Sequence, residues 1–357
     1  MEKMFKRSLV GAAIAAASVV AAPAMANDNV EIYGQAAISY WVIDSKAEGA
    51  KTSTDVDNES RIGFRGSKQF KNFGPKFIWQ MESGNVGDEG KDGRFGARDT
   101  FGGFEWDNGA RFRFGRVLTP AYEIIDWPYT NPGLGPVFDW NTDIMAGAHH
   151  DRHGDQFRFD SANYNGFSYD LAFGAHDTNT TDEFFYGAAA HYTKGIFTGH
   201  LGFQLDNGIK NDKYDAAGTT QETLWKTADR QTIVAGVEFH FENGFSVVGA
   251  WKGMQSKYEV APGVVVSDNK ESQNSYSVTA QYVTGDWLYK LGYAYTDKLK
   301  SGGSKVAETD DQAITARIMY FVDPSAVIYS DIRSYDMNGN TKDKDATRWG
   351  IGVEYYF

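Results

Sequence analysis

From residue 30 onward, apolar and polar side chains alternate along the chain with a period of two. Val30, Ile32, Ala36, Ile38, Tyr40 and Val42 share one face of the first stretch, and Glu31, Gln35 and Ser39 share the other. Residues 229–241 repeat the pattern, with Ile233, Ala235, Val237, Phe239 and Phe241 set against Arg230, Thr232, Glu238 and His240. So do residues 345–357, with Trp349, Ile351, Val353, Tyr355 and Phe357 against Arg348 and Glu354. Strict alternation marks half-buried strands. The polar faces mix Arg, Glu, Asp and Gln with Gly, Ala and Ser, while the apolar faces carry Phe, Tyr and Trp near the strand ends. A wet interior and a lipid exterior, with aromatic girdles at the two membrane interfaces, explain that division. A soluble sandwich would need a large inward core of Leu, Ile and Val instead.

The connections alternate in length. Lys71–Gly74, Asp107–Gly109, Asn165–Gly166, Lys194–Gly195, Glu242–Gly244, Thr284–Asp286 and Asp323–Ser325 are short, several with the Gly or Asn that hairpin turns require. Residues 45–57, 87–93, 117–154, 177–183, 207–228, 256–272, 298–308 and 337–344 read as long loops. Seven short turns and eight long loops join sixteen strands, enough to enclose an aqueous channel. The predicted fold is all-β, a 16-stranded antiparallel transmembrane barrel formed by residues 27–357.

Residues 117–154 break the rhythm. They hold Pro120, Pro128, Pro132 and Pro136, half of the chain's eight prolines, and read as one structureless run. Such length in a compact domain is functional or disordered, and Tyr122, Trp127, Tyr129, Phe138 and Trp140 make it too aromatic for disorder. The expectation is a third external loop folded into the lumen, where it narrows the pore.

Residues 1–26 read as a cleaved secretory signal: basic Lys3, Lys6 and Arg7, an apolar stretch to Ala22, and Ala24-Met25-Ala26 at the cleavage site. Removing them, with their one acidic and three basic residues, takes 47 acidic and 35 basic residues to 46 and 32, a net charge of −14. That balance argues against nucleic-acid binding. The chain has no cysteine. An exported protein without disulfides needs another source of stability, which a closed ladder of backbone hydrogen bonds supplies.

Several motifs resemble the general porin family of Gram-negative outer membranes: Val30-Glu31-Ile32-Tyr33-Gly34, Ser60-Arg61-Ile62-Gly63-Phe64-Arg65-Gly66, Phe95-Gly96-Ala97-Arg98-Asp99-Thr100-Phe101-Gly102-Gly103, Phe112-Arg113-Phe114-Gly115-Arg116 and the terminal Ile351-Gly352-Val353-Glu354-Tyr355-Tyr356-Phe357. The resemblance covers the whole mature chain. It implies an outer-membrane homotrimer that contacts lipid and lipopolysaccharide, admits ions and small hydrophilic solutes, catalyses nothing and needs no cofactor or metal. It also implies an eyelet with arginines on one wall and acidic residues on the infolded loop.

Parity locates the arginines. If Ile62, Phe64, Phe95, Ala97, Phe101, Phe112 and Phe114 face lipid, then Arg61, Arg65, Arg94, Arg98, Arg111 and Arg113 face the lumen. Arg158, between Phe157 and Phe159, follows them. The expected basic wall is Arg61, Arg65, Arg98, Arg113 and Arg158, and the facing acids are Glu123, Asp126, Asp139 and Asp143. Parity turns Asp99 outward, to a subunit interface or the rim. Charge rings in a narrow pore set ion preference, so the expected function is passive diffusion of small polar solutes. The alternative is a substrate-specific, oligosaccharide-type porin in which Trp127, Tyr129 and Trp140 stack on sugar rings. His149-His150-Asp151-Arg152-His153 has the composition of a metal site but lies in an external loop beside a positive arginine, so metal binding is not expected. For Asp212, Asp215 and similar loop acids, solvated loop charge is preferred over loose binding of divalent cations with lipopolysaccharide.

Overall fold

Hydrogen-bonded one to the next, the alternating segments close into a single antiparallel sheet. The computed structural model describes residues 30–87, 93–140, 142–144, 147, 151–175, 183–210, 225–260 and 269–357; the leader 1–26 and the loop residues His149, His150, Asp212 and Asp215 lie outside the described residues. The strands are β1 (Glu31–Ser45), β2 (Ser53–Asn58, resuming as Arg61–Lys68), β3 (Lys76–Ser83), β4 (Phe95–Glu105), β5 (Arg111–Leu118), β6 (Arg152–Asp160), β7 (Phe167–Ala175) and β8 (Phe184–Lys194). They continue as β9 (Phe197–Lys210), β10 (Trp225–His240), β11 (Phe245–Val260), β12 (Lys270–Thr284), β13 (Trp287–Thr296), β14 (Asp311–Asp323), β15 (Ala326–Asp336) and β16 (Ala346–Tyr356). Both segments of β2 pair with β1, and a two-residue ribbon at Lys300–Ser301 and Ser304–Lys305 decorates one loop. The barrel closes where β16 pairs with β1, from Gln35↔Tyr356 to Ser45↔Ala346. At the seam Gly34 and Phe357 exchange backbone hydrogen bonds of 2.9 and 3.1 Å. A Cβ on Gly34 would come within 2.5 Å of the Phe357 ring, so the terminal aromatic requires glycine beneath it.

Burial is inverted relative to a soluble protein. Leu291, Ile314, Ile318 and Ile332 are at least half exposed, whereas Gln204, Lys252, Gln273 and Asp331 are buried. The apolar residues form the lipid face and the polar residues line the interior. Aromatic pairs gather near the short turns, among them Phe73–Phe104, Phe197–Phe239, Phe241–Phe245 and Trp287–Tyr320. The turns use positive φ at Gly109, Asn165, Gly195, Gly244 and Gly285.

Several loops are shorter than the sequence suggested. Ser53–Asn58, expected within a loop, pairs with β1, and β9, β11 and β12 extend into segments read as loops. Beyond the lipid the outward face meets water instead of apolar chains, so a strand keeps its ladder but loses the apolar–polar alternation that marks it.

The segment between β5 and β6 is not structureless. It forms α1 (Pro120–Asp126), opened by Thr119, whose hydroxyl accepts from Tyr122 N at 3.3 Å, and α2 (Gly135–Phe138). Its apolar residues Ala121, Ile124, Ile125, Tyr129, Leu134, Val137 and Phe138 form a buried cluster with Ala189, Val234, Val248, Ala294 and Ala313 of the strands. Those strand residues alternate with the lipid-facing ones, so the segment packs on the inner wall. The wall is shaved to receive it. A Cβ on Gly202 would meet Ile124 at 3.0 Å, one on Gly292 would meet Leu134 at 3.0 Å, and one on Gly236 would overlap the Tyr129 hydroxyl.

Candidate functional site

Wall side chains hold the loop by its carbonyl groups. Ser277 donates to Tyr129 O at 2.5 Å, Thr279 to Asn131 O at 3.3 Å, Tyr335 to Gly133 O at 2.8 Å and Thr296 to Val137 O at 2.7 Å. Lys252, buried against Phe138, donates to Asp139 O at 2.5 Å. Lys290 donates to Asn131 Oδ1 at 2.7 Å and lies over the Trp127 ring. None of these anchors was among the sequence candidates. Their signal was available: serines, threonines and lysines at inward parity on β11–β13.

Across the remaining lumen stands the arginine wall. Arg61 and Arg98 converge on Glu82, at 3.5 and 2.5 Å, and each side chain keeps about a quarter of its surface exposed. Arg65 instead forms a two-pronged bond with Glu31, at 2.6 and 2.8 Å. Arg113 and Arg158 are buried around Asp160, at 2.7 Å each. Arg158 also grips Glu123 of α1, making it an anchor of the loop rather than an open pore charge.

The acids separate in the same way. Asp139 accepts from the Tyr122 hydroxyl at 3.1 Å, and Asp143 is bonded to Gln273. Both are buried: Asp139 still lines the cavity beside the loop, while Asp143 is held against Gln273 of the wall. Glu123 is exposed on one side but committed to Arg158. Asp126 lies in the field of Arg98 and Arg152. Among the three loop aromatics, Tyr129 is fully buried and Trp127 is capped by Lys290, while Trp140 is 74% exposed.

Two corrections come from one bulge. Phe101 pairs with Gln80, which faces inward opposite Arg65, and Arg113 lies 5.4 Å from the Phe101 ring centroid. Phe101 therefore faces the lumen, although Phe95, stacked on Phe64, faces lipid. The register slips between Met81 and Ser83 opposite Gly96, which has φ of 81°. A slip of one residue exchanges the two faces of a strand. Asp99 is paired with Arg152 at 2.6 Å and is not a bare outward carboxylate.

Beside the loop the lumen opens into a cavity of about 260 Å³, lined by Trp41, Glu59, Asp126, Trp140, Arg317 and Arg333 among others. Arg317 and Arg333 share Asp331, at 2.6 Å each, and Arg333 covers the Trp41 ring at 4.2 Å. The sequence reading passed over both arginines because parity was followed only through the strands flanking the loop. Among the described residues, no group of three His, Asp or Glu side chains is arranged to hold a metal ion. His153 is buried beside Asp206 and Gln204.

A family profile described as Gram-negative porin matches residues 12–340. The chain belongs to the Gram-negative porins. Among its relatives, a chitoporin of Vibrio furnissii is 35% identical over 390 aligned positions, covering all of both chains. Major outer membrane protein P.IB of Neisseria sicca is 25% identical over 322, covering 84% of this chain and 85% of that one. The fold matches an anion-selective porin from Comamonas acidovorans with TM-score 0.72 at 18% identity, covering 92% of this chain and 99% of that one. OmpT of Vibrio cholerae in its trimer form matches with TM-score 0.65 at 18% identity, covering 92% and 99%. This porin is a β-barrel channel of the outer membrane, and its relatives are channels rather than enzymes.

Burial, reinforced by Asp139, pushes the Asp126 carboxyl up to about 6. Its folded value lies above the ordinary carboxylate range, so the negative charge is present above about pH 6 and lost below. Reversal potentials in a salt gradient are expected to move toward anions as the pH falls from 7 to 5. Asp126→Asn should reduce that shift by its own share.

Proposed function

We propose that this porin passes ions and small hydrophilic solutes by passive diffusion through a constriction between the loop and the wall bearing Arg61 and Arg98. The observation that carries the reading is the pair of partly shielded arginines on Glu82, with Asp126 of the loop in the field of Arg98. Opposed charge across a narrow aqueous gap orders water and dipolar solutes, and it disfavours apolar ones because they must disrupt that water. The loop's apolar underside and carbonyl anchors keep it on the wall, leaving its polar edge to the solute. Flux follows the gradient. The test is a planar-bilayer recording with and without neutral oligosaccharides: ohmic current with little block supports the reading, and discrete concentration-dependent closures oppose it.

One observation favours a second reading. Trp140 presents a free indole beside the cavity that Trp41 also lines, and the Vibrio furnissii relative is a chitoporin. Under this reading uncharged sugar oligomers stack on Trp140 and block the ion current transiently. Trp140→Ala should then shorten the blocks about tenfold, the loss of one aromatic contact of about 1.5 kcal/mol. Tyr129 and Trp127 take no part, being buried or capped.

We also propose a homotrimer, supported by the OmpT trimer form among the fold neighbours. Small or polar residues at outward parity on the first strands (Gly34, Ala36, Gly66 and Asp99) support it only weakly. Gly34 is covered by the chain's own Phe357 and Asp99 is ion-paired, which leaves exposed Ala36 and half-buried Gly66. Native mass in mild detergent should be three times the chain mass. A conducting monomer would contradict this.

A further inference from the structure

On the inner wall, five titratable side chains of four adjacent strands form one hydrogen-bonded row. Asp170 of β7 meets His191 Nε2 of β8 at 3.0 Å. His191 and His200 of β9 meet Nδ1 to Nδ1 at 2.7 Å. His200 Nε2 meets Glu238 Oε1 of β10 at 3.0 Å, and Glu238 Oε2 meets His240 Nε2 at 2.8 Å. The β8–β9 register sets His191 directly opposite His200. The row touches the loop twice. Asp170 also accepts from Arg158, which holds Glu123, and the His200 ring stands edge-on to Tyr129 with centroids 6.4 Å apart. The groups facing the imidazole pair are thus Asp170 and Glu238, with Arg158 and His240 beyond them and Tyr129 alongside.

Counting hydrogens shows what the pair can tolerate. Two nitrogens 2.7 Å apart share one hydrogen, and the outer Nε2 atoms, each facing a carboxylate, carry their own. Three N–H protons on two rings make one imidazolium and one neutral imidazole. A further proton can go only to the remaining Nδ1, which sets two N–H groups head to head at hydrogen-bond distance. That contact cannot persist. The neighbour is poised to respond: the Tyr129 hydroxyl is buried without a hydrogen-bond partner, and its ring rests on Gly236, the residue paired with His200.

We propose that the His191–His200 pair is an acid-operated latch on the loop. Protonation of both rings breaks the pair, His200 swings against Tyr129, and the loop leaves its seat and enters the lumen, lowering the current. The proposal rests on the reading that the loop sets the aperture, and the experiment separates the two.

Single channels of Asp126→Asn, which lacks the titrating loop carboxylate, are recorded in symmetric salt from about pH 8 to about pH 5, the span in which imidazoles change charge. In parallel, a nitroxide is attached in the same background to a cysteine replacing Trp140, since the chain has no cysteine of its own. Acid-dependent closures and a sharpening of the nitroxide spectrum over the same pH span are expected, with both lost in His191→Gln and in His200→Gln. Glutamine retains a donor and an acceptor but takes up no proton. Migration of the unheated protein on a gel checks that the variants fold. If they do not, the label in the Asp126→Asn background decides alone, because a spectrum insensitive to pH overturns the latch. Closures that persist unchanged in a folded glutamine variant overturn it as well. Sharpening without any change in current supports the latch and removes instead the reading that the loop sets the aperture.

Discussion

Alanine at both Arg61 and Arg98 is expected to widen the channel and shift it strongly toward cations. A unit charge 4 Å from a passing ion contributes about 1 kcal/mol even at the dielectric constant of water, roughly a fivefold change in partition for each charge. Here two positive charges disappear together, and Glu82, which they neutralise at 3.5 and 2.5 Å, is left uncompensated. The effect should survive concentrated salt, because the lost charges lie beside the ion path. The many acids of the external loops act differently. At physiological salt the Debye length is about 8 Å, so their bias toward cations should be visible at low salt and fade as salt rises. Glu82→Gln supplies the opposite sign by freeing both guanidinium groups, and should move the reversal potential toward anions. If the double alanine variant leaves both conductance and reversal potential unchanged, the narrowest point lies elsewhere.

Tyr129→Ala is expected to release the loop while leaving the barrel intact. The ring is fully buried and sits where Gly236 leaves room for it. Truncating a buried aromatic to alanine costs about 3–5 kcal/mol, and here the loss falls on loop docking, since the strands keep their hydrogen bonds. Proteolysis within 127–140 should become fast, open-channel noise should rise, and the unheated barrel should migrate as before. Gly236→Ala attacks the same contact from the wall, because its methyl group would overlap the Tyr129 hydroxyl. The two changes should not add: with Tyr129 already truncated, Gly236→Ala should have little further effect, the coupling expected of residues in contact. Equal effects of Gly236→Ala in both backgrounds would place Tyr129 elsewhere.

The barrel was legible because lipid and water impose opposite demands on alternate residues. Ile314 beside Thr315, or Val278 beside Thr279, declares its face without reference to any other strand. Turns were legible for a local reason too, since positive φ at Gly244 or Asn165 selects its residue. Legibility failed where a short local rule was carried across an irregularity. Phe101 and Phe95 have the same parity in sequence, yet the bulge at Gly96 places them on opposite faces. The acids of the loop were beyond reach because α1 and α2 turn carboxylates in directions that neither period two nor an irregular coil predicts. Asp139 and Asp143 are drawn into packing and Asp126 is left toward the arginines. The bed of the loop was missed although its signature was present: Gly187, Gly202, Gly236 and Gly292 stand at inward parity on strands where a hydrated lumen wall makes no demand for glycine. A packed segment does.

The central claim is that the path runs between the loop and the wall bearing Arg61 and Arg98. Because the chain has no cysteine, single cysteines can be placed at Arg61, Arg98 and Trp140, and at the lipid-facing Ile62 as a control. The measurement is the single-channel current before and after a bulky, membrane-impermeant thiol reagent. The account predicts stepwise, permanent loss of current for cysteines at 61, 98 and 140 and none for the cysteine at 62. Full current after complete modification of 61 and 98 would contradict it.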